Sequence, residues 1–295
     1  MTDLEQLSRF TTGRGFVAAL DQSGGSSPGA LRAYGVDPAQ YATEAEMFDL
    51  IQAMRARVIS NPAFGSDRII GTILFTGTLD RTIDGRSVAD YLWQVKGVVP
   101  FLKIDAGLED TADGVQLMRD APSVGEAVKR GQDADVFGTK ARSVIHAADP
   151  VGIARIVDQQ FALAERVLDA GLLPIMEPEV DITIPDRAAA ESLLKEAILA
   201  RLDGLGERQV AVKVSIPVVD DFYADLIAHP RIARVVALSG GYTQAEAIDH
   251  LARNHGLIAS FSRALLEGLR ADQSDEEFGE VLAASIDAIY RASVT

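Results

Sequence analysis

The feature that most constrains this chain is an alternation. Eight nearly continuous apolar runs of strand length recur along it, with helical patterns in the intervals. The runs are "GFVAALD" (15–21), "IIGTILFT" (69–76), "VVPFLKID" (98–105), "DVFGTK" (135–140), "LLPIME" (172–177), "VAVKVS" (210–215), "VVALS" (235–239) and "LIASFS" (257–262). Strands that are apolar at nearly every position are buried on both faces, as parallel strands are. Eight strand-plus-helix units predict an α/β fold, a single (β/α)8 TIM barrel spanning residues 1–295. Residues 1–14 form a leader and 274–293 a C-terminal helix. A doubly wound open sheet uses the same alternation and is the competing architecture. No linker or composition shift divides the chain.

The intervals carry helix punctuation. Thr43 with Glu46, Thr243 with Glu246 and Ser274 with Glu277 have capping-box spacing. Asp149 and Pro150 open a long amphipathic helix as N-cap and N1 residues, and Gly171 closes it.

Composition narrows the function classes. With 47% hydrophobic residues in 295, the chain can bury a large core, yet no apolar run is long enough to span a membrane. The first residues, "MTDLEQLSRF", lack the basic and apolar regions of a signal peptide. The absence of cysteine excludes disulfides, thiolate metal sites and cysteine nucleophiles, and fits a reducing cytoplasm. A formal net charge of −15 disfavours nucleic acid and anionic membranes as partners. "GRG" (13–15) is too short for a dinucleotide fingerprint. The histidines, His146, His229, His250 and His255, are expected away from strand ends. His250 and His255 are five apart on one expected helix, the wrong spacing for a zinc pair, so no metal site is predicted.

Barrel chemistry collects at the C-terminal ends of the strands. Expected there are Asp21 with Ser23 and Ser26 on a glycine loop, Lys103 with Asp105, Lys140 with Arg142, Glu177 with Glu179, Ser239-Gly240-Gly241, and Ser262 with Arg263. Lys213 sits inside the sixth strand, whose Val210, Val212, Val214 and Ile216 share one face. Any one of these residues reads as a turn, a cap or a structural ion pair. Charges or hydroxyls on so many strands of one barrel are costly to bury without use. The Ser239-Gly240-Gly241 turn precedes a capped helix in the strand-seven position where barrels hold phosphate. The glycine-and-serine loop after the first strand marks a second anion site, and two such sites fit a bisphosphorylated substrate. Burial beside another cation such as Lys140 favours the neutral lysine amine that attacks a carbonyl. Glu177 is placed to move protons during imine formation, and Asp21 to take a hydroxyl proton.

In order and wording, "GFVAALDQSGGS", "PFLKID", "FGTKAR", "LPIMEPEV", "VAVKVSIP", "VVALSGG" and "ASFSRAL" resemble class I fructose-bisphosphate aldolases, most closely their compact bacterial branch. The resemblance spans most of the chain. It implies reversible, metal- and cofactor-independent cleavage of fructose 1,6-bisphosphate to dihydroxyacetone phosphate and glyceraldehyde 3-phosphate, in glycolysis or gluconeogenesis. Lys213 would form the Schiff base, and Glu177 would be the general acid/base, assisted by Glu179 and Lys140. Asp21 would handle the proton of the 4-hydroxyl. Ser239, Gly240, Gly241 and Arg263 would hold the 1-phosphate, and Ser23, Ser26, Lys103 and Arg142 the 6-phosphate. The chain departs from the animal enzymes at Ala141, where they carry tryptophan, and at Ser262, which replaces a glycine. It ends at Thr295, without their tyrosine-tipped tail, and Tyr290 falls inside the last helix pattern. A transaldolase-like Schiff-base lyase and a catalytically silent phosphosugar-binding protein are the rival readings.

Overall fold

The computed structural model describes residues 3–295. Eight parallel strands close into a barrel: β1 (Phe16–Leu20), β2 (Ile69–Leu74), β3 (Val99–Lys103), β4 (Gly138–Ile145), β5 (Leu173–Val180), β6 (Val210–Ser215), β7 (Ile232–Leu238) and β8 (Ile258–Phe261). Going round from β3, the order is β2, β1, β8, β7, β6, β5, β4, and pairing of β3 with β4 closes the circle. The open-sheet alternative is thereby excluded.

Side-chain alternation along each strand divides the core into two layers. On β6, Val210, Val212 and Val214 face outward into the layer shared with the helices, while Ala211 lies in the smaller inner cluster. That inner cluster also holds Val17, Ala19, Val99, Phe101, Leu173 and Ile175. The outer layer packs against α3 (Glu44–Ser60), α5 (Pro150–Asp169), α6 (Arg187–Leu202) and α8 (Asp275–Ser293). The three expected capping boxes are present, at Thr43, Thr243 and Ser274. Asp149 accepts from the Gly152 amide at the start of α5, and Gly171 beyond its end has φ +80°.

The leader is itself structured. Asp3 accepts from the Glu5 and Gln6 amides and opens α1 (Leu4–Thr12), which packs across the N-terminal end of the barrel. Phe10, fully buried, lies 4.8 Å from Phe101 and 6.3 Å from Phe137, ring centre to ring centre. Arg234 on β7 fixes the end of α1, donating to the Phe10 carbonyl (3.0 Å) and the Gly13 carbonyl (2.9 Å). Among the described residues, no helix is long and apolar enough to cross a membrane.

Two strands outrun the sequence expectation. The apolar pattern stops β4 at Lys140, but the strand continues to Ile145; it stops β5 at Glu177, but the strand continues to Val180. Their polar residues face the barrel interior and find charged partners there, so they do not end the ladder. Lys140 and Glu177 consequently lie within strands rather than at their ends. The extension of β4 also puts His146 directly after a strand end, contrary to the expectation that no histidine lies there. Its ring bonds Asp181 (Nδ1, 3.2 Å) and Gln116 (Nε2, 2.9 Å). His250 and His255 do not share a helix: α7 (Gln244–Ala252) ends before His255.

Candidate active site

The inward row of each strand changes character along its length. It runs Val17, Ala19, Asp21 on β1; Val99, Phe101, Lys103, Asp105 on β3; and Gly138, Lys140, Arg142 on β4. On β5 it is Leu173, Ile175, Glu177, Glu179, and on β6 Ala211, Lys213, Ser215. Apolar residues fill the end under α1, and charged residues occupy the other. One rule, every second residue inward, therefore delivers side chains from five strands to one layer.

Within that layer the charges interlock. The Lys213 ammonium lies 2.9 Å from Glu177 Oε1, and Lys140 lies 2.7 Å from Glu177 Oε2. Lys140 also reaches Asp21 Oδ2 at 2.7 Å and Asp105 Oδ2 at 4.0 Å. Lys103 pairs with Asp105 Oδ1 at 2.6 Å. Lys140, Glu177 and Lys213 are 2–4% exposed. Three lysines face three carboxylates, so the buried layer carries no formal excess charge, which is what makes its burial tolerable.

Electrostatics fix the resting protonation. Burial pushes the Asp21 carboxyl up, but Lys140, Lys213 and Lys103 outweigh it and hold the group well below the ordinary carboxylate range. Glu177 is likewise held low: burial opposes ionisation, Lys140 and Lys213 favour it more strongly, and Asp21 works against them. For Lys140, burial disfavours the ammonium, but Asp21, Glu177 and Asp105 together push it well above its ordinary value. The charge that meets the Lys213 amine is a carboxylate, where the sequence suggested a neighbouring cation. Lys140 binds the other oxygen of that same carboxyl.

The remaining expected residues surround this layer. Glu179 Oε2 accepts from Arg142 Nε at 2.5 Å, and Asp105 Oδ2 accepts from the Arg142 amide at 3.2 Å. Lys103 and Arg142, expected to be available to an anion, each already hold a carboxylate. Ser23 and Ser26 bond each other across a tight turn, Ser26 Oγ donating to the Ser23 carbonyl and accepting from the Ser23 amide. On the opposite side, Ser239 leads into Gly240 (φ +63°) and Gly241 (φ +124°), followed by α7. A β-carbon on Gly240 would stand 2.6 Å from Ile182 Cγ2, and one on Gly241 would stand 3.9 Å from Arg263 Nη2. Gly240 is needed for both its φ and its space, Gly241 for its φ. The loop amides thus lie beside the exposed Arg263 guanidinium, which has no ion pair among the described residues.

Two departures from the animal enzymes acquire a physical account. Ala141 faces outward, buried among Leu102, Val128, Leu163 and Val167, so it does not line the site. Ser262 Oγ accepts from Gln22 Nε2 at 2.9 Å and ties the β1 loop to the end of β8. Tyr290 packs under Arg68 beside the start of β2, at the α1 end of the barrel. Two residues beside the site, Gln22 and Arg55, carry no signal in the sequence. Arg55 is an interior position of α3 whose burial arises only from tertiary placement. Among the described residues, no group of three or more carboxylates or imidazoles is arranged to hold a metal ion.

No protein-family model matches the chain. It is 53% identical over 290 residues to a class 1 fructose-bisphosphate aldolase of Porphyromonas gingivalis, covering 98% of this chain and 99% of the relative. A class 1 enzyme of Synechocystis is 51% identical over 292 residues, with 99% and 97% covered. One of Clostridium acetobutylicum is 52% identical over 291 residues, with 98% and 99% covered. Among solved structures, the fructose-bisphosphate aldolase of Plasmodium falciparum, determined with TRAP and a small-molecule inhibitor, superposes with a TM-score of 0.78. It is 19% identical, with 98% of this chain and 92% of that chain covered, a likeness of fold. Near-full-length identity above one half to these relatives places the chain in the family of class I fructose-bisphosphate aldolases.

Proposed function

We propose that Lys213 is the Schiff-base lysine through which this aldolase, a carbon–carbon lyase, reversibly cleaves fructose 1,6-bisphosphate to dihydroxyacetone phosphate and glyceraldehyde 3-phosphate. The observation that carries the reading is the Lys213–Glu177–Lys140 bridge, with amine to carboxylate 2.9 Å apart in a buried layer. Glu177 accepts a proton from the Lys213 ammonium, and the free amine adds to the substrate ketone. Glu177 then returns a proton to the carbinolamine oxygen, which leaves as water. The iminium is the electron sink. When Asp21 removes the proton of the 4-hydroxyl, the adjacent carbon–carbon bond breaks, the aldehyde departs and an enamine remains on Lys213. Protonation of the enamine carbon and hydrolysis of the imine release the second triose. Lys140 stays charged throughout, holding Asp21 and Glu177 in register.

Phosphate recognition uses the two loops. Ser239, Gly240, Gly241 and Arg263 take the 1-phosphate, through loop amides and an unpaired guanidinium. Ser23, Ser26, Lys103 and Arg142 take the 6-phosphate, which competes with Asp105 and Glu179 for the two cations. Glu179 releases Arg142 as the phosphate arrives. The net charge of −15 and the absence of cysteine support a cytoplasmic enzyme that binds neither nucleic acid nor membranes, and its reaction places it in glycolysis or gluconeogenesis.

Incubation with dihydroxyacetone phosphate and borohydride, then peptide mapping, tests the assignment. The expected adduct is on Lys213, absent in Lys213→Met, with full activity in EDTA. An adduct at another lysine, or a Lys213→Met variant with parental activity, overturns it.

A further inference from the structure

Arg55 is 2% exposed and has no carboxylate ion pair among the described residues. A buried guanidinium without a counter-charge is costly. Nη1 donates to Thr78 Oγ1 at 3.0 Å, in the turn after β2, and Nη2 donates to the Gln22 carbonyl, in the loop after β1. Its Nε finds no acceptor, and its face lies 5.9 Å from the Phe75 ring centre. The fork therefore joins the exits of β1 and β2 from beneath. Gln22, directly after Asp21, then reaches across to Ser262 Oγ. Burial pushes the Arg55 guanidinium down to about 10, against the charge of Asp21, which supports the ion.

We propose that Arg55 is a positioning residue for carbon–carbon cleavage: by clamping the Gln22 carbonyl to Thr78, it fixes Asp21 over the hydroxyl it deprotonates. The inference rests on the assignment of Asp21 given above. Arg55 has no hydrogen bond or ion pair with Lys213 among the described residues, so its removal separates two partial reactions. Misplacing a reacting group by about 1 Å costs up to about 100-fold in rate.

The test uses Arg55→Met in the full chain, assayed three ways: cleavage of fructose 1,6-bisphosphate, borohydride trapping with dihydroxyacetone phosphate, and urea unfolding. The expected kcat for cleavage falls roughly 30–100-fold, while the trapping rate stays within about twofold and the unfolding midpoint is unchanged or higher. Cleavage and trapping falling together, or cleavage at the parental rate, overturns the proposal. If Arg55→Met does not fold, Thr78→Val removes one tooth of the clamp. It is expected to lower cleavage about three- to tenfold with trapping unaffected, and equal loss of both again overturns the proposal. Asp21→Ala run in parallel separates the two claims: if it cleaves normally, the Asp21 assignment fails. If it is inactive while Arg55→Met cleaves normally, only the role of Arg55 fails.

Discussion

Replacing Lys140 by methionine removes the ammonium that bridges Asp21 and Glu177 and keeps the bulk of the side chain. In the parent protein both carboxyls titrate below their unfolded values. Their ionised forms therefore stabilise the fold above about pH 4, and that contribution is lost as pH falls through the lower folded values. Lys140 titrates above its unfolded value. Its contribution is complete below about pH 10 and is lost only as pH rises through the raised folded value. Between about pH 5 and 8 the bridge thus contributes a constant amount. In Lys140→Met, Glu177 keeps Lys213, but Asp21 loses its one ion pair among the described residues and stays in a layer where it was less than one-eighth exposed. Stranding buried charge costs about 3–5 kcal/mol at neutral pH. A carboxyl that takes up a proton escapes the cost; a penalty of about 4 kcal/mol brings protonation in from about pH 7, and below that the deficit shrinks by about 1.4 kcal/mol for each pH unit toward acid. The expected deficit is about 4 kcal/mol at pH 8 and about 1–2 kcal/mol at pH 5. Urea unfolding at fixed ionic strength, monitored by the fluorescence of Trp93, the chain's sole tryptophan, measures it. A deficit that is flat with pH, or that grows toward acid, refutes the assignment of Lys140 as the counter-ion of Asp21.

The geometry makes two further outcomes testable. Phe10→Ala empties a fully buried ring site beneath the barrel and should cost about 3–5 kcal/mol in unfolding free energy, with kcat near the parental value because the catalytic layer lies at the other end. Gly240→Ala places a methyl 2.6 Å from Ile182 at a φ of +63°. It should raise KM for fructose 1,6-bisphosphate about tenfold, roughly the loss of one well-placed hydrogen bond to a charged group.

Most of the barrel is legible because its strands are buried on both faces, which forces near-continuous apolar runs. Where a strand carries inward charges the signal fades, and the pattern cuts β4 and β5 short at Lys140 and Glu177. In the fold those residues are satisfied by each other between neighbouring strands, a relation that no local window contains. The layer of Lys140, Glu177, Lys213 and Asp21 is legible because cations inside apolar runs are anomalous. Its wiring is not: that Lys213 faces Glu177, and that Arg142 and Lys103 already hold carboxylates, depends on register between strands. Arg55 leaves no trace because its helix carries arginines at both 55 and 57, and only packing distinguishes them. Arg57 reaches Asp275 near the surface, while Arg55 is enclosed under the β1 loop.

The grip of Arg234 on the Phe10 and Gly13 carbonyls joins residues more than 220 positions apart. The partners of α1 lie on β3, directly before β4 and on β7, so α1 has no complete seat until those distant segments are in place. Contacts of such long sequence separation form late and slow folding. The stopper at the base of the barrel thus ties an early segment of the sequence to a late one, and its seat is assembled only by contacts of long sequence separation.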